Sequence, residues 1–195
     1  MQLTTESYYH IYNRGINHEK IFYTEDNYTF FLEKIQKYVK PYSFIFAYCL
    51  MPTHFHIIIQ IKPHIDTANF KKDIGVLLRS YAQAINKSIK RSGSLFQQHT
   101  KAKNLLPIPY AQFQNLNYLQ NCFAYVHLNP VTANLVNKVE AWKFSSYHEH
   151  AGLKKPQTCD IGYTREMMQI SGTQGFKEIM TYYSFEQFRE VELWP

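Results

Sequence analysis

Apolar residues fill two consecutive stretches, Tyr42–Leu50 and Thr53–Ile61, and only Met51 and Pro52 separate them. So short a link predicts a tight turn between antiparallel neighbours. Strand side chains alternate between faces, so Phe55, Ile57, Ile59 and Ile61 form a core face. His54, His56, Ile58 and Gln60 then point the other way. Upstream, Tyr8–Arg14 reads as a strand ending at Gly15. A helix follows from Glu25 to Val39, with Thr24 as N-cap and Tyr28, Phe31, Leu32, Ile35 and Val39 as its apolar stripe. Pro41 marks its end. A longer helix over 66–90 places Phe70, Ile74, Leu77, Leu78, Tyr81, Ile85 and Ile89 on one side. Ser92–Ser94 predicts a turn and Leu95–Gln98 a short strand. Pro107 and Pro109 then break the chain before a helix over 112–128. This order argues for an α+β layer in which helices cover one face of an antiparallel sheet.

Composition narrows the class. The 195 residues are 45% hydrophobic and 16% aromatic, ample for a core and far from disorder. No apolar run approaches the roughly 20 residues of a membrane span. The start lacks the basic and apolar parts of a signal peptide, so a soluble cytoplasmic protein without a membrane partner is expected. Cys49, Cys122 and Cys159 are too few and too widely spaced for a zinc cluster or a disulfide framework.

The net charge of +6 suits a polyanionic partner. Much of the excess lies between Lys62 and Lys103, where Lys62, Lys71, Lys72, Arg79, Lys87, Lys90, Arg91, Lys101 and Lys103 face only Asp66 and Asp73 as acids. A solvated helix face would carry the same charges. A phosphate-binding surface is the other reading, with Lys71, Lys72, Arg79, Lys87 and Arg91 as candidate nucleic-acid contacts. Asn13 and Arg14, at a strand end, are candidates of the same kind, with turn stabilisation as the alternative.

Two imidazoles side by side on one strand face are near enough to grip one metal ion. Among nine histidines that spacing alone proves little. A second segment changes its weight. If Phe123–Leu128 is helical, Tyr125 and Asn129 share a face, and Pro130 ends or bends the helix just beyond them. A phenol and a carboxamide presented together supply a nucleophile and a third, oxygen-donating ligand. Two imidazoles, one amide oxygen and open positions suit Mg²⁺ or Mn²⁺. His127, two residues from Tyr125, faces away and reads as a hydrogen-bonding histidine of the helix.

His54-Phe55-His56 resembles the His-hydrophobic-His signature of the HUH endonucleases. Ala47-Tyr48-Cys49-Leu50-Met51-Pro52-Thr53-His54-Phe55-His56, Arg91-Ser92-Gly93-Ser94-Leu95-Phe96-Gln97 and Tyr125-Val126-His127-Leu128-Asn129-Pro130-Val131 are similar to the single-tyrosine transposases. Within these the chain most resembles the REP-associated tyrosine transposases, relatives of the insertion-sequence-200 type. Tyr9–Gly15 and Trp142–Tyr147 fit the same pattern. The resemblance implies a ferredoxin-like core and metal-dependent cleavage and rejoining of single-stranded or hairpin DNA. It also implies Tyr125 as nucleophile, joined to the DNA 5′ end, and His54, His56 and Asn129 as metal ligands. A single nucleophilic tyrosine per chain means that paired cleavages need a homodimer or one site used in succession.

The resemblance runs to about residue 150. The expected organisation is a transposase domain over 1–150 and a small helical C-terminal appendage over 151–195. Two rival readings remain open: a non-catalytic nucleic-acid-binding regulator with the same fold, and a metal hydrolase using the two histidines alone.

Overall fold

The computed structural model describes residues 2–105 and 112–183, and the side chains of 112–117 are left out of the description. Strand β1 (Tyr8–Arg14) leads through a short 3-10 turn to helix α1 (Glu25–Tyr38). Strands β2 (Ser43–Met51) and β3 (His54–Ile61) form the hairpin. Helix α2 (Thr67–Ser88) and strand β4 (Lys101–Asn104) follow. The chain continues through α3 (Gln112–Thr132), α4 (Tyr147–His150), α5 (Ile161–Met167) and α6 (Gly172–Tyr182). All four strands are antiparallel in the order β2-β3-β1-β4, the ferredoxin-like arrangement.

Local chemistry sets the helix starts. Asn27 Oδ1 accepts from the backbone N–H groups of Tyr23 and Thr24 at 3.0 and 3.2 Å, which fastens the entry to α1. Asp66 caps α2, accepting from Ala68 N and Asn69 N. Gly15 closes β1 because a Cβ there would collide with the Glu19 carbonyl.

Helices cover both faces of the sheet, where the residue pattern predicted one. Phe55, Ile57, Ile59 and Ile61 do form a core, against Phe31 and Ile35 of α1 and Phe70, Leu77 and Tyr81 of α2. The opposite face, with Ala47, Cys49, Met51 and Ile58, is buried under Phe123, Ala124, Tyr125 and Val126 of α3 and Phe176 of α6. Short side chains at Ala47 and Cys49 admit the helix, and so much apolar surface favours a cover.

Two further expectations shift. The fourth strand is Lys101–Asn104, and the predicted Leu95–Gln98 contributes a single bridge from Phe96 to Gly15. Leu95 and Phe96 are both buried in the core, so alternation fails there. Helix α3 runs on to Thr132 with Pro130 inside it. Proline removes one N–H donor, and the next turn recovers its pairing through Ala133 N to Asn129 O and Leu135 N to Pro130 O, each 2.9 Å.

The C-terminal segment is built into the second core. Buried Glu149 accepts from the backbone N–H of Gln157, Thr158 and Cys159 and from the Tyr48 hydroxyl. Asp160 pairs with Ile45 through both its backbone N–H and its carboxylate. Phe176 packs on Phe123, His127 and His150. Among the described residues no helix is long and apolar enough to cross a membrane.

This second core carries two buried histidines, and it should make stability depend on pH. Burial holds the His127 imidazole well below its ordinary pKa, and burial also brings His150 down to about 4. Folded values below the unfolded value of about 6.5 mean that the unfolded chain binds more protons. Stability is therefore complete above about pH 6.5 and falls as the pH drops from there towards 4. Each histidine contributes about 1.4 kcal/mol per pH unit inside that window. Urea unfolding between pH 7.5 and about 4.5 measures the decline, and His150→Gln should make it shallower.

Candidate active site

Strand register assembles the site. In β3, His56 lies opposite Cys49 of β2 and Tyr12 of β1, and His54 lies opposite Met51 and Arg14. Cross-strand partners share a face, so His54, His56, Tyr12, Arg14 and His10 all face the layer that holds α3. Across this gap α3 presents Tyr125 and Asn129, one turn apart on its inner side and both buried. The His56 and Tyr125 rings meet edge-on, with centroids 5.7 Å apart. Asn129 Nδ2 is 3.3 Å from His56 Nε2. The His54 and His56 ring centres are 4.9 Å apart. The structure thus brings together all four side chains that the sequence singles out for chemistry.

Each imidazole has its Nδ1 engaged from behind. Thr53 Oγ1 lies 2.9 Å from His54 Nδ1, and His10 Nε2 lies 2.8 Å from His56 Nδ1. If both Nδ1 atoms donate, each Nε2 keeps a lone pair, the state that a metal ligand requires. Burial pushes the histidines towards neutrality: His54 falls to about 4, with the nearby Arg14 charge adding to burial, and burial takes His56 well below its ordinary value. A half-turn of the Asn129 carboxamide exchanges its nitrogen for its oxygen and gives a third donor. Among the described residues no three His, Cys, Asp or Glu side chains cluster as a metal site. Two imidazoles and a carboxamide nevertheless fit a divalent ion that keeps open positions.

His10 is the residue that sequence reasoning missed. It is fully buried, hydrogen-bonded to His56, and stacked on it with centroids 5.0 Å apart. The available signal was alternation in Tyr8–Arg14, which sets His10, Tyr12 and Arg14 on one face. His127 does turn away from Tyr125, with its ring nitrogens 2.8 Å from Phe123 O and Ser146 Oγ.

The candidate DNA contacts scatter. Lys71, Lys72, Arg79 and Lys87 ride on α2, which packs on the far face of the sheet. Arg91 is an internal brace, 2.9 Å from Glu19 and also bonded to Asn86. Asn13 lies opposite Phe55 and so points to that far face. Its Nδ2 donates to Gln97 O and Thr100 Oγ1, and its Oδ1 accepts from Arg14 N. Of the predicted contacts, Arg14 alone shares the face of the histidine pair.

The sequence matches the family described as "Transposase IS200 like" over residues 4–103, just over half of the chain. No curated protein matches it. Among solved structures, it is similar to a REP-associated tyrosine transposase bound to a REP hairpin, with a TM-score of 0.58 and 17% identity. That alignment covers 83% of this chain and 90% of the other, and it shows a shared fold.

Removing the ring behind His56 tests the geometry of the pair. His10→Ala should weaken Mn²⁺ binding by about 10–100-fold, the usual cost of losing such a support. Titration calorimetry reads the affinity and thermal melting controls for folding. An unchanged affinity in a folded variant would separate His10 from the ligand set.

Proposed function

The chain belongs to the IS200-like transposase family, and we propose that it acts in DNA transposition by cutting and rejoining single-stranded DNA through Tyr125. One observation carries this reading: Tyr125 and Asn129, on one face of α3, close over His54 and His56 on β3, although the two segments are distant in sequence. A structural arrangement for stability alone would have no use for two supported imidazoles, a carboxamide and a phenol around one point.

In the reaction, Tyr125 Oη attacks the phosphorus of a phosphodiester and loses its proton to solvent. The new P–Oη bond forms as the bond from phosphorus to the 3′ oxygen breaks. The departing oxygen takes up a proton and leaves as a 3′-hydroxyl, while the 5′ side stays joined to the tyrosine. The diester energy is kept in that link, so a 3′-hydroxyl can attack it in turn and restore a DNA strand. A phenol with an ordinary pKa near 10 is a poor nucleophile and depends on a positioned, charge-neutralised phosphate. A Mg²⁺ or Mn²⁺ ion held by His54, His56 and Asn129 supplies that neutralisation when bound. The chain's own part is to fix the ligand nitrogens from behind and to hold the phenol beside them.

Hairpin-forming single strands are the substrate in this reading, since the structural relative is bound to a REP hairpin. DNA as partner suits the cytoplasm as the place of action. One nucleophilic tyrosine per chain gives one cleavage per subunit, so paired cuts use two copies or one site in succession.

Tyr125→Phe removes one oxygen and keeps the ring that packs α3. Folding and DNA binding should stay near wild type, while cleavage and the covalent adduct disappear together. Denaturing gels after incubation with hairpin-bearing single strands and Mn²⁺ read both products. Cutting by the phenylalanine variant would mean hydrolysis by the histidine site. Persistence of the adduct would move the nucleophile to another tyrosine. A wild-type chain that binds hairpins without cutting them would be a regulator.

A further inference from the structure

We propose that Arg14, Lys101 and Lys103, at the β1–β4 side of the sheet, form the strip that holds the phosphate backbone of the strand entering this site. The inference rests on the reading of Tyr125 as a DNA nucleophile, and it names the surface that serves it. Register is the first argument. Lys101 lies opposite Tyr12 and Lys103 opposite His10, so both lysines project from the same sheet face as His54 and His56. Lys101, Tyr12, His56 and Cys49 form one continuous row across the four strands. Both lysines are exposed, whereas Ala102 between them turns inward against the first core. Two residues apart on a strand, they stand about 7 Å from each other along the edge, a spacing that suits successive phosphates.

Charge is the second argument. Arg14 lies opposite His54, and Lys103 lies opposite His10, so the cations of the strip stand beside the candidate site itself. An anionic backbone on the strip would approach Tyr125 along a favourable gradient. Lys103 also leans on α3, with Nζ 5.6 Å from the Tyr118 ring centre and a side-chain hydrogen bond to that residue. The strip is therefore joined to the helix that carries the phenol. By contrast, a backbone laid along Lys72, Arg79 and Lys87 would lie beyond the sheet, on the face that α2 covers.

Asn13 keeps the strip in place. Its hydrogen bonds to Gln97 and Thr100 tie the segment before β4 to β1. A polar residue at that strand end is then a brace for the DNA surface rather than a contact.

The test measures binding of a fluorescein-labelled oligothymidylate across a salt series, with adduct formation on hairpin-bearing strands measured in parallel. Each single-strand phosphate contact contributes about 0.7 to the slope of log affinity against log salt. Lys101→Ala/Lys103→Ala should lower that slope by about 1.4 and depress adduct yield at moderate salt. Lys101→Arg/Lys103→Arg should keep the slope, and Lys71→Ala/Lys72→Ala/Arg79→Ala should leave it unchanged. If the alanine pair melts early, Lys101→Gln/Lys103→Gln replaces it. An unaltered slope in a folded β4 variant, or a loss confined to the α2 variant, overturns the strip. The outcomes separate the two readings. A lowered slope without any wild-type adduct keeps the strip as a nucleic-acid surface and defeats Tyr125 as nucleophile. A wild-type adduct with an unaltered slope does the reverse.

Discussion

The register between β1 and β3 is the constraint on which the rest of the molecule depends. Side chains alternate with a period of two, so a slip of one residue would exchange the two faces of β3. His54 and His56 would enter the core beneath α1 and α2, and Phe55 and Ile57 would face α3. Pairing of Tyr12 with His56 also sets His10 within hydrogen-bonding reach of His56 Nδ1, and the same register carries Lys101 and Lys103 to the site's side. Apolar burial enforces it from the far side, where Phe55, Ile57 and Ile59 have no exposed alternative. The site is thus held by residues that take no part in its chemistry.

Burying imidazoles carries a cost. His10, His56, His127 and His150 are all fully buried and held neutral by their surroundings. A neutral ring still has a donor and an acceptor to satisfy. His127 meets both needs through Phe123 O and Ser146 Oγ, which suits a structural residue. Among the described residues, His10 Nδ1 beside the candidate site and His150 Nδ1 in the second core both lack a hydrogen-bond partner.

Much of this architecture was legible in the residue pattern because strands and amphipathic helices write their periods directly into sequence. The β2–β3 hairpin, both helices of the first core and the convergence of His54, His56, Tyr125 and Asn129 followed from alternation, i,i+4 spacing and a family likeness. What stayed hidden depends on packing between layers. Strand β4 is four residues of mostly polar chain at an edge, so it leaves almost no hydrophobic signature. The second cover of the sheet was obscured for a different reason. Helix α3 buries residues around most of its circumference, including His127 on the side away from the phenol, and so lacks a clean apolar stripe.

Charge shows the limit most clearly. A count along the chain gathers every cation from Lys62 to Lys103 into one group, yet the sheet divides them. Helix α2 buries Phe70, Ile74 and Leu77 against one face, and its lysines necessarily remain on that side. Lys101 and Lys103 come to the other face because a strand, unlike a helix, commits every second residue to the same direction. The partition gives the two layers different work. The α1–α2 layer supplies the apolar pressure that fixes register, and the α3 layer receives the polar groups that this register exposes. Lys101 and Lys103 thus stand on the side of the sheet that Tyr125 faces, and the sheet itself separates them from the cations of α2.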